Sequence, residues 1–267
     1  MNEHPIFAKI INGRSPDFGD TFSKSIELFK KVWVQGFIHV LLNFVVLFPL
    51  IVLLNVFLGI AGLSIFGTSS LLQGMDTSES IEAVAATTLP FFTILFMILI
   101  GILFSILSFV VQFAITAHFF KVCKETDLGE PVSTDYFFYL KKRYFKTLSL
   151  LGICSFLIGA IAYMLCVLPI IYAIVPLQLF GVIFAFNPEM EVKEIVRAGF
   201  TFGNKVWGVT FGLLFVSFIL SYIIGIIACG VGLLFTISFV YVPLYYVYKE
   251  GIGFSSGSSY IIQDSTV

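Results

Sequence analysis

The sequence predicts an all-α integral membrane protein with six transmembrane helices, organised as a single membrane domain over residues 1–250. Four long stretches contain no Asp, Glu, Lys or Arg, and all 15 Lys and Arg residues lie outside them. At about 1.5 Å per helical residue, each stretch is long enough to cross a hydrocarbon core of about 30 Å. Composition agrees, because 58% of the residues are hydrophobic and only 12% are charged. The stretches are Val32–Met75, Ala83–Phe120, Thr147–Pro188 and Val206–Tyr248.

Turn-forming residues divide these stretches into spans. Each of the last two stretches is long enough to cross twice. We place one break at Val167-Leu168-Pro169, because Pro disfavours helix at the preceding residue, and the other at Cys229-Gly230-Val231-Gly232, where glycines permit a tight turn. The first two stretches cross once each, and the Gly/Ser/Thr-rich segment between them predicts an outer loop over 61–88. The predicted spans are approximately 33–60, 89–119, 147–167, 169–187, 206–228 and 231–248.

The positions of the positive charges orient these spans. Six spans bring every basic segment to one side of the membrane: the N-terminal segment, the connections between spans 2 and 3 and between spans 4 and 5, and the segment after span 6. Because basic residues concentrate on the inner side, this side is predicted to be the cytoplasm of a bacterial cell. Both termini are then cytoplasmic, the protein lies in the inner membrane, and residues 251–267 form a flexible cytoplasmic tail. The polar N-terminal segment lacks the apolar run of a removable signal peptide.

A similar unit precedes spans 1, 3 and 5. In each case an amphipathic pattern leads to a basic residue beside an aromatic one, which is typical of an anchor at the membrane interface. The chain can therefore also be interpreted as three repeats, each an interfacial helix followed by a membrane hairpin. Common ancestry is not required, because anchors recur at membrane interfaces for physical reasons. The amphipathic segments either lie on the membrane surface, as their pattern favours, or extend the spans. The predicted anchors are Lys31, Trp33, Lys142, Arg143, Tyr144, Lys205 and Trp207.

One polar cluster is predicted inside the membrane. Polar residues recur every four positions in the cytoplasmic halves of spans 1 and 2, and an antiparallel hairpin brings position 39 near position 112. Such stripes most simply supply hydrogen bonds between helices, whereas a hydrated cavity for a lipid headgroup or small solute is the alternative reading. The cluster comprises Gln35, His39, Asn43, Ser108, Gln112, Thr116 and, at similar depth in span 4, Gln178.

The sequence contains no motif that predicts a catalytic activity. Only three histidines occur, no HExxH motif is present, and no span contains Asp or Glu, which argues against a metalloprotease or an aspartyl protease. The four cysteines show no CxxC spacing. We therefore expect no catalytic residues, no metal site and no cofactor. The net charge of −1 gives no reason to expect a nucleic-acid partner.

Five short segments in the second half of the chain share a pattern with known proteins: Leu168-Pro169-Ile170-Ile171-Tyr172, Glu194-Ile195-Val196-Arg197-Ala198, Gly203-Asn204-Lys205-Val206-Trp207, Gly230–Thr236 and Tyr245-Tyr246-Val247-Tyr248. On these residues the chain resembles a family of bacterial six-span membrane proteins. The family comprises the YciC-like group and the membrane domain found beside glycerophosphodiester phosphodiesterases. The resemblance implies a six-span fold, and in fused members a soluble barrel performs the chemistry; no segment of this chain could form that barrel. Ala198 stands where Ser is usual, and Ile170 where Gly would follow Pro.

Two functional hypotheses follow. The first is a non-enzymatic multi-pass membrane protein that acts as a scaffold or accessory subunit, or interacts with lipid, with anionic headgroups at its cytoplasmic face and a protein partner as its expected contacts. The second is a small-solute or lipid transporter that uses the polar cluster. Inverted repeats would favour transport, but the repeats in this chain all enter the membrane from the same side. An enzyme using His39 would lack an acidic partner within the membrane.

Overall fold

The chain folds as an all-α membrane protein, as the sequence predicts. The computed structural model describes the backbone of residues 4–73, 79–165 and 167–254, and their side chains except for 60–73, 79–90 and 167. All regular structure in these residues is helical. The helices are α1 Pro5–Asn12, α2 Phe18–Gln73, α3 Glu79–Leu128, α4 Lys142–Met164, α5 Val167–Phe186, α6 Val192–Ile227, α7 Leu233–Thr236 and α8 Tyr241–Gly251, with 3₁₀ helices at Phe138–Leu140 and Ile237–Val240.

Five helices in the described part of the chain are long and apolar enough to cross a bilayer. They fall in the first five predicted spans, and the segment 231–248, predicted as the sixth, is divided among α7, a 3₁₀ turn and α8. None of these pieces alone has the length of a span. The five helices are Phe18–Gly59, Phe91–Leu128, Lys142–Met164, Leu168–Phe186 and Val192–Ile227.

The divided segment nevertheless turns back along α6. Cys229 and Gly230 adopt left-handed backbone conformations, with φ of 57° and 80°, which reverse the chain at the predicted break. The hydroxyl groups of Ser221 and Thr236 then each donate to the backbone carbonyl of the other residue, both at 2.8 Å. Gly225 leaves room for Leu233, because a Cβ at Gly225 would lie 2.5 Å from the Leu233 side chain. The end of α6 and the beginning of α7 therefore form a close antiparallel hairpin.

The two described ends of the chain meet at one end of the bundle. A Cβ placed on Gly13 would lie 1.9 Å from the carbonyl oxygen of Gly251, so the two backbones are in direct contact. Lys205 of α6 holds the N-terminal end in place, because its ammonium group donates to the carbonyl oxygens of Ile10, Ile11 and Gly13 at 2.6–2.9 Å. An odd number of crossings would place the ends on opposite faces of a membrane. Their contact therefore favours an even number of crossings, and the count of six remains a prediction.

Ion pairs join the charged segments of the chain at this same end, which we call the basic end. Lys24 pairs with Glu250 at 2.8 Å, and Arg143 pairs with Glu189 at 2.9 Å. Lys249 pairs with Asp127 near the end of α3. The four basic segments, which are far apart in sequence, thus converge as the charge pattern predicts.

The amphipathic segments differ from the three repeated interfacial helices that the sequence predicts. The first is the beginning of the continuous helix α2, so it extends span 1 rather than lying beside it. The second, from Ser133, is not a helix but a loop with a short 3₁₀ turn. The third joins span 5 in α6 at a kink at Val206, where φ is −113° and ψ is 15°. No Pro separates the first segment from span 1, so its helical hydrogen bonds continue without interruption.

Helical structure also extends into regions predicted as loop. The backbone is helical to Gln73 and again from Glu79, where the sequence predicts an outer loop over 61–88; residues 74–78 lie outside the described residues. Gly, Ser and Thr cost a helix only about 1 kcal/mol or less per residue, which does not by itself end it. Of the predicted flexible tail 251–267, residues 251–254 pack on the bundle, and the Phe254 ring lies 5.0 Å from that of Phe186. The rest lies outside the described residues.

Helix α6 contains two small-residue motifs, Gly199-xxx-Gly203 and Gly208-xxx-Gly212, and close helix packing explains the first. A Cβ on Gly199 would lie 2.3 Å from the ring of Phe180, and one on Gly203 would lie 3.3 Å from Pro176. Both glycines face α5 within the same chain. The second motif is different, because Gly208 faces open space and only Gly212 meets a neighbour, Phe18. The first motif is therefore an intramolecular contact between α5 and α6.

We predict that Gly199→Ala destabilises the protein, because the added methyl group would overlap the buried ring of Phe180. Overpacking of this kind costs roughly 1–3 kcal/mol. The matched control is Gly208→Ala, which has no neighbour within 4 Å and gains helix propensity. Thermal unfolding in detergent should show a lower Tm for the first variant only. Equal Tm values for both variants would contradict the assigned contact.

Candidate functional site

The α2 members of the predicted cluster bond mainly within their own helix and to aromatic rings. The Asn43 amide nitrogen donates to the carbonyl of His39 at 3.0 Å and lies 3.4 Å from His39 Nε2. The His39 ring stacks on Phe119 of α3 with centroids 5.0 Å apart. The His39 ring also bonds the backbone of Ile115, so position 39 meets α3 about one to two turns from the predicted neighbour, Gln112.

The α3 members reach different partners. Gln112 donates to the hydroxyl of Tyr241 at 3.1 Å, and Ser108 donates to the carbonyl of Phe104 in its own helix at 2.9 Å. The side chain of Thr116 is buried beside the hydroxyl of Tyr241, the same group that Gln112 contacts. The polar residues of α3 thus lie beside α8 rather than bonding directly to the polar stripe of α2.

Gln35 and Gln178 complete the predicted set. Gln35 accepts a hydrogen bond from the hydroxyl of Tyr136 at 2.9 Å, and Tyr136 belongs to the loop between α3 and α4. Gln178 is half-buried in α5 and makes no hydrogen bond to the other members in the described part of the chain. The structure therefore brings six of the predicted residues around the interface of α2 and α3, with Gln178 unconnected to them.

Two tyrosines that the sequence analysis missed link this cluster. Tyr241 accepts from Gln112, and its ring lies edge-on to His39 with centroids 5.2 Å apart. Tyr136 holds Gln35 and packs its ring 4.8 Å from that of His118. A tyrosine in an apolar segment carries a hydroxyl group that needs a hydrogen-bond partner. The many tyrosines of the last predicted span were therefore the available sign, in the sequence, of polar contacts there.

A second polar cluster, also missed, fastens α8 to the end of α3. The hydroxyls of Tyr245 and Tyr246 donate to the two carboxylate oxygens of Asp127 at 2.6 and 3.1 Å, and Lys249 donates to the same carboxylate. Asp127 is half-buried. The spacing of two adjacent tyrosines and a lysine one turn later places all three donors on neighbouring positions of a helix, where they can reach one carboxylate.

The loop after α3 is held by a third set of contacts. The backbone N–H of Ser133 donates to Glu125 at 2.7 Å, and the Ser133 hydroxyl lies 3.4 Å from Nε2 of the buried His118. Lys121 lies 3.7 Å from the other oxygen of Glu125. These contacts fold the loop back onto the helix that precedes it and position Tyr136 against α2.

The predicted anchors divide into two groups. Lys31, Trp33, Lys142 and Arg143 are exposed, as interfacial anchors require. Tyr144, in contrast, is only 7% exposed and packs among Phe138 and Tyr139. It belongs to the core because its α4 position faces the 3₁₀ turn before it.

The third predicted anchor pair, Lys205 and Trp207, also makes hydrogen bonds within the bundle. Lys205 holds the carboxyl end of α1 through the three carbonyl bonds described above, because those carbonyls have no partners within their own helix. The indole N–H of Trp207 donates to the carbonyl of Tyr172 at 3.1 Å. Both side chains join parts of the bundle, and their role as anchors at the membrane interface remains a prediction.

An apolar cleft opens between α2 and α3 away from the basic end. It has a volume of about 380 Å³ and is lined only by apolar side chains. Its lining is Leu53, Leu54, Val56, Phe57, Ile100 and Phe104. Among the described residues, no group of three or more His, Cys, Asp or Glu side chains is placed to hold a metal ion.

Comparison with known proteins gives no relative: no protein-family model, no curated protein and no solved structure matches this chain.

We predict that Asp127→Asn destabilises the bundle by roughly 2 kcal/mol, because the amide cannot accept three hydrogen bonds as the carboxylate does and leaves Lys249 without its counter-charge. The matched control is Asp135→Asn, which removes an exposed ion pair with Lys141 and should cost at most about 0.5 kcal/mol. Chemical denaturation in detergent measures both. A loss for Asp127→Asn as small as the control would contradict the assigned role.

Proposed function

We propose that this protein is a non-enzymatic multi-pass protein of the bacterial inner membrane that acts as a scaffold or accessory subunit for another membrane protein. In this proposal the basic end faces the cytoplasm and contacts anionic lipid headgroups. The observation that carries it is the contrast between a bundle in which polar side chains join distant segments and a hairpin of α2 and α3 whose exposed side chains are mainly apolar.

Polar side chains inside the bundle form hydrogen bonds between distant parts of the chain. Gln35 binds Tyr136, Gln112 binds Tyr241, and Asn187 donates to the hydroxyl of Tyr248 at 2.8 Å. Each of these bonds joins residues that are more than 60 positions apart in the chain. Such bonds suit a rigid bundle, because polar groups in lipid need partners and each bond sets the position of one helix against another.

The hairpin of α2 and α3 supplies the contact surface. Leu53 is 67% exposed and Leu103 is 63% exposed, and large apolar side chains around them are exposed too. In a bilayer this surface meets lipid or another transmembrane segment. The cleft between Phe57 and Phe104 makes the surface uneven, and helices associate in membranes through close packing of uneven surfaces.

The basic end provides the lipid contact. Lys31, Lys142 and Lys146 are exposed and make no ion pair within the described residues. Each charge of this kind is worth about 1 kcal/mol near an anionic surface. The attraction is nonspecific, so it supports orientation at the membrane rather than recognition of one lipid.

Transport through the polar cluster is the second candidate function. A transporter needs a path through which solute reaches its site, whereas the rings of Tyr136, Tyr241 and Phe119 fill the space around Gln35, His39 and Gln112. This packing favours the scaffold role. Membership of the YciC-like group remains a prediction from the sequence.

We predict that a photo-crosslinking amino acid, p-benzoylphenylalanine, placed at Leu53 or Leu103 in cells will form a discrete adduct with a partner protein. Met164, which is 84% exposed at the end of α4, is the control position and should crosslink to lipid only. Adducts are separated by electrophoresis and identified by mass spectrometry. If the hairpin positions yield the same products as Met164, the proposed role of the hairpin fails.

We predict that cysteines placed at Gln35 and Gln112 will not react with a small hydrophilic maleimide added from the cytoplasmic side. The test uses a chain whose own four cysteines are replaced by Ala. Lys146→Cys, at an exposed position of the basic end, is the control and should react quickly. Rapid reaction at both Gln35 and Gln112 would instead support the transporter hypothesis.

A further inference from the structure

The short helix α1 is attached to the bundle by one of its faces. The side chains of Ile6, Phe7 and Ile10 are only 3%, 6% and 1% exposed, and the helix packs against α6. The guanidinium group of Arg197, in α6, lies over the Phe7 ring at 4.8 Å from its centroid. Positions 6, 7 and 10 lie on one side of a helix, so the other side of α1 faces away from α6.

The outward face of α1 is mainly apolar as well. It consists of Pro5, Ala8, Ile11 and Asn12, all of which are exposed, and Ile11 is 70% exposed. A helix at the surface of a soluble bundle normally turns polar side chains outward. Packing against α6 therefore accounts for one apolar face of α1 and leaves the second without a partner inside the bundle.

Both ends of α1 are fixed by hydrogen bonds. At the beginning, Nδ1 of His4 accepts from the backbone N–H of Ile6 at 3.3 Å, and Pro5 occupies the first helical position. At the end, the ammonium group of Lys205 donates to the carbonyl oxygens of Ile10 and Ile11 at 2.7 and 2.9 Å. A helix of this length is not stable alone in water, so these contacts keep it formed and hold its outward face in a set direction.

The contact with Lys205 places Ile11 beside the predicted membrane boundary. The charge-free stretch that contains span 5 begins at Val206, the residue after Lys205, and α6 is kinked at the same residue. A lysine directly before an apolar span marks the level of the lipid headgroups. Because the carbonyl oxygen of Ile11 accepts from this lysine, the exposed end of α1 lies at the same level.

The charges around the outward face are mainly positive. Helix α1 and the two residues after it contain Lys9 and Arg14 but no Asp or Glu, and Arg14 is exposed. Arg197 adds a third cation from α6, while the acids Glu191 and Glu194 lie at the beginning of that helix. An apolar face bordered by cations is the arrangement with which helices lie in the interface of an anionic membrane.

We propose that α1 is an interfacial helix that binds the surface of an anionic phospholipid bilayer. Ala8 and Ile11 enter the boundary between headgroups and acyl chains, while Lys9 and Arg14 contact lipid phosphates. Because Lys205 joins α1 to α6, this contact also fixes the level at which span 5 enters the membrane. The inference rests on the part of the proposed function that places the basic end at anionic lipid, and it does not require a protein partner for the hairpin of α2 and α3.

The first test measures the depth of α1 in nanodiscs of phosphatidylcholine and phosphatidylglycerol that contain the full chain and no other protein. A nitroxide label is attached at Ile11→Cys in a chain whose own four cysteines are replaced by Ala. Oxygen, which concentrates among acyl chains, should relax this label more than a water-soluble nickel complex does. The Ile11 side chain is exposed, so the label leaves the contact with α6 intact.

The control for depth is Glu130→Cys, an exposed position in the loop after α3. A label there should respond more to the nickel complex than to oxygen. If the label at Ile11 responds as the control does, α1 lies in water or awaits a protein partner, and the proposal is overturned.

The second test removes one charge from the labelled chain. Arg14→Gln should lower the ratio of lipid-immersed to water-exposed label at position 11 by about fivefold, which is the effect of one charge near an anionic surface. The matched control is Lys30→Gln, which removes the same charge from an exposed position of α2 and should leave the ratio unchanged. No effect of Arg14→Gln, or an equal effect of both variants, would contradict the phosphate contact.

The orientation of the basic end is measured separately. Lys146→Cys reacts with a maleimide from the cytoplasmic side if the basic end faces the cytoplasm, whatever α1 binds. Reaction from that side together with a water-exposed label at Ile11 refutes the role of α1 alone. Reaction only from the opposite side refutes the placement on which both this inference and the proposed function rest.

Discussion

The position of α8 among the other helices is the constraint on which the rest of the bundle depends. Tyr245, Val247 and Leu244 are almost completely buried, and α8 contacts α2, α3, α5 and α6. Lipid provides little hydrophobic force between helices, so specific contacts must decide how they are aligned. The carboxylate of Asp127 fills this role, because its three donors all come from α8. Once α8 is aligned, Tyr241 is placed beside His39 and Gly251 beside Gly13.

Most of the fold class could be predicted because lipid imposes simple rules. Charge-free stretches reveal the spans, and the glycines at 230 and 232 reveal the turn between α6 and α7. Helix continuity could not be predicted in the same way. An amphipathic pattern describes which face of a helix is apolar, but it does not say whether the helix bends at the membrane surface. In α2 it runs straight on, whereas α6 bends at Val206, and both segments show the same kind of pattern.

The candidate site was only partly predictable for a related reason. Regular spacing identifies Gln35, His39 and Asn43 as one stripe, because helical periodicity is a local property. Partners that come from distant segments, such as Tyr136 and Tyr241, depend on where whole helices lie against each other. His39 contacts Ile115 and Phe119 instead of Gln112, so the predicted neighbour is misplaced by about one to two helical turns. Lys205 illustrates the same limit, because its partners belong to a helix almost 200 residues earlier in the chain.

The central place of α8 also has a consequence for biogenesis. The ribosome makes this helix after all those that surround it, so the earlier helices enter the membrane before the element that occupies their centre exists. Until α8 is made, Asp127 lacks its tyrosine and lysine donors, and Gln112 lacks Tyr241 as its acceptor. Assembly is therefore completed only after insertion of the other helices, and an unfinished chain offers the insertion and quality-control machinery of the cell an unpaired carboxylate to recognise.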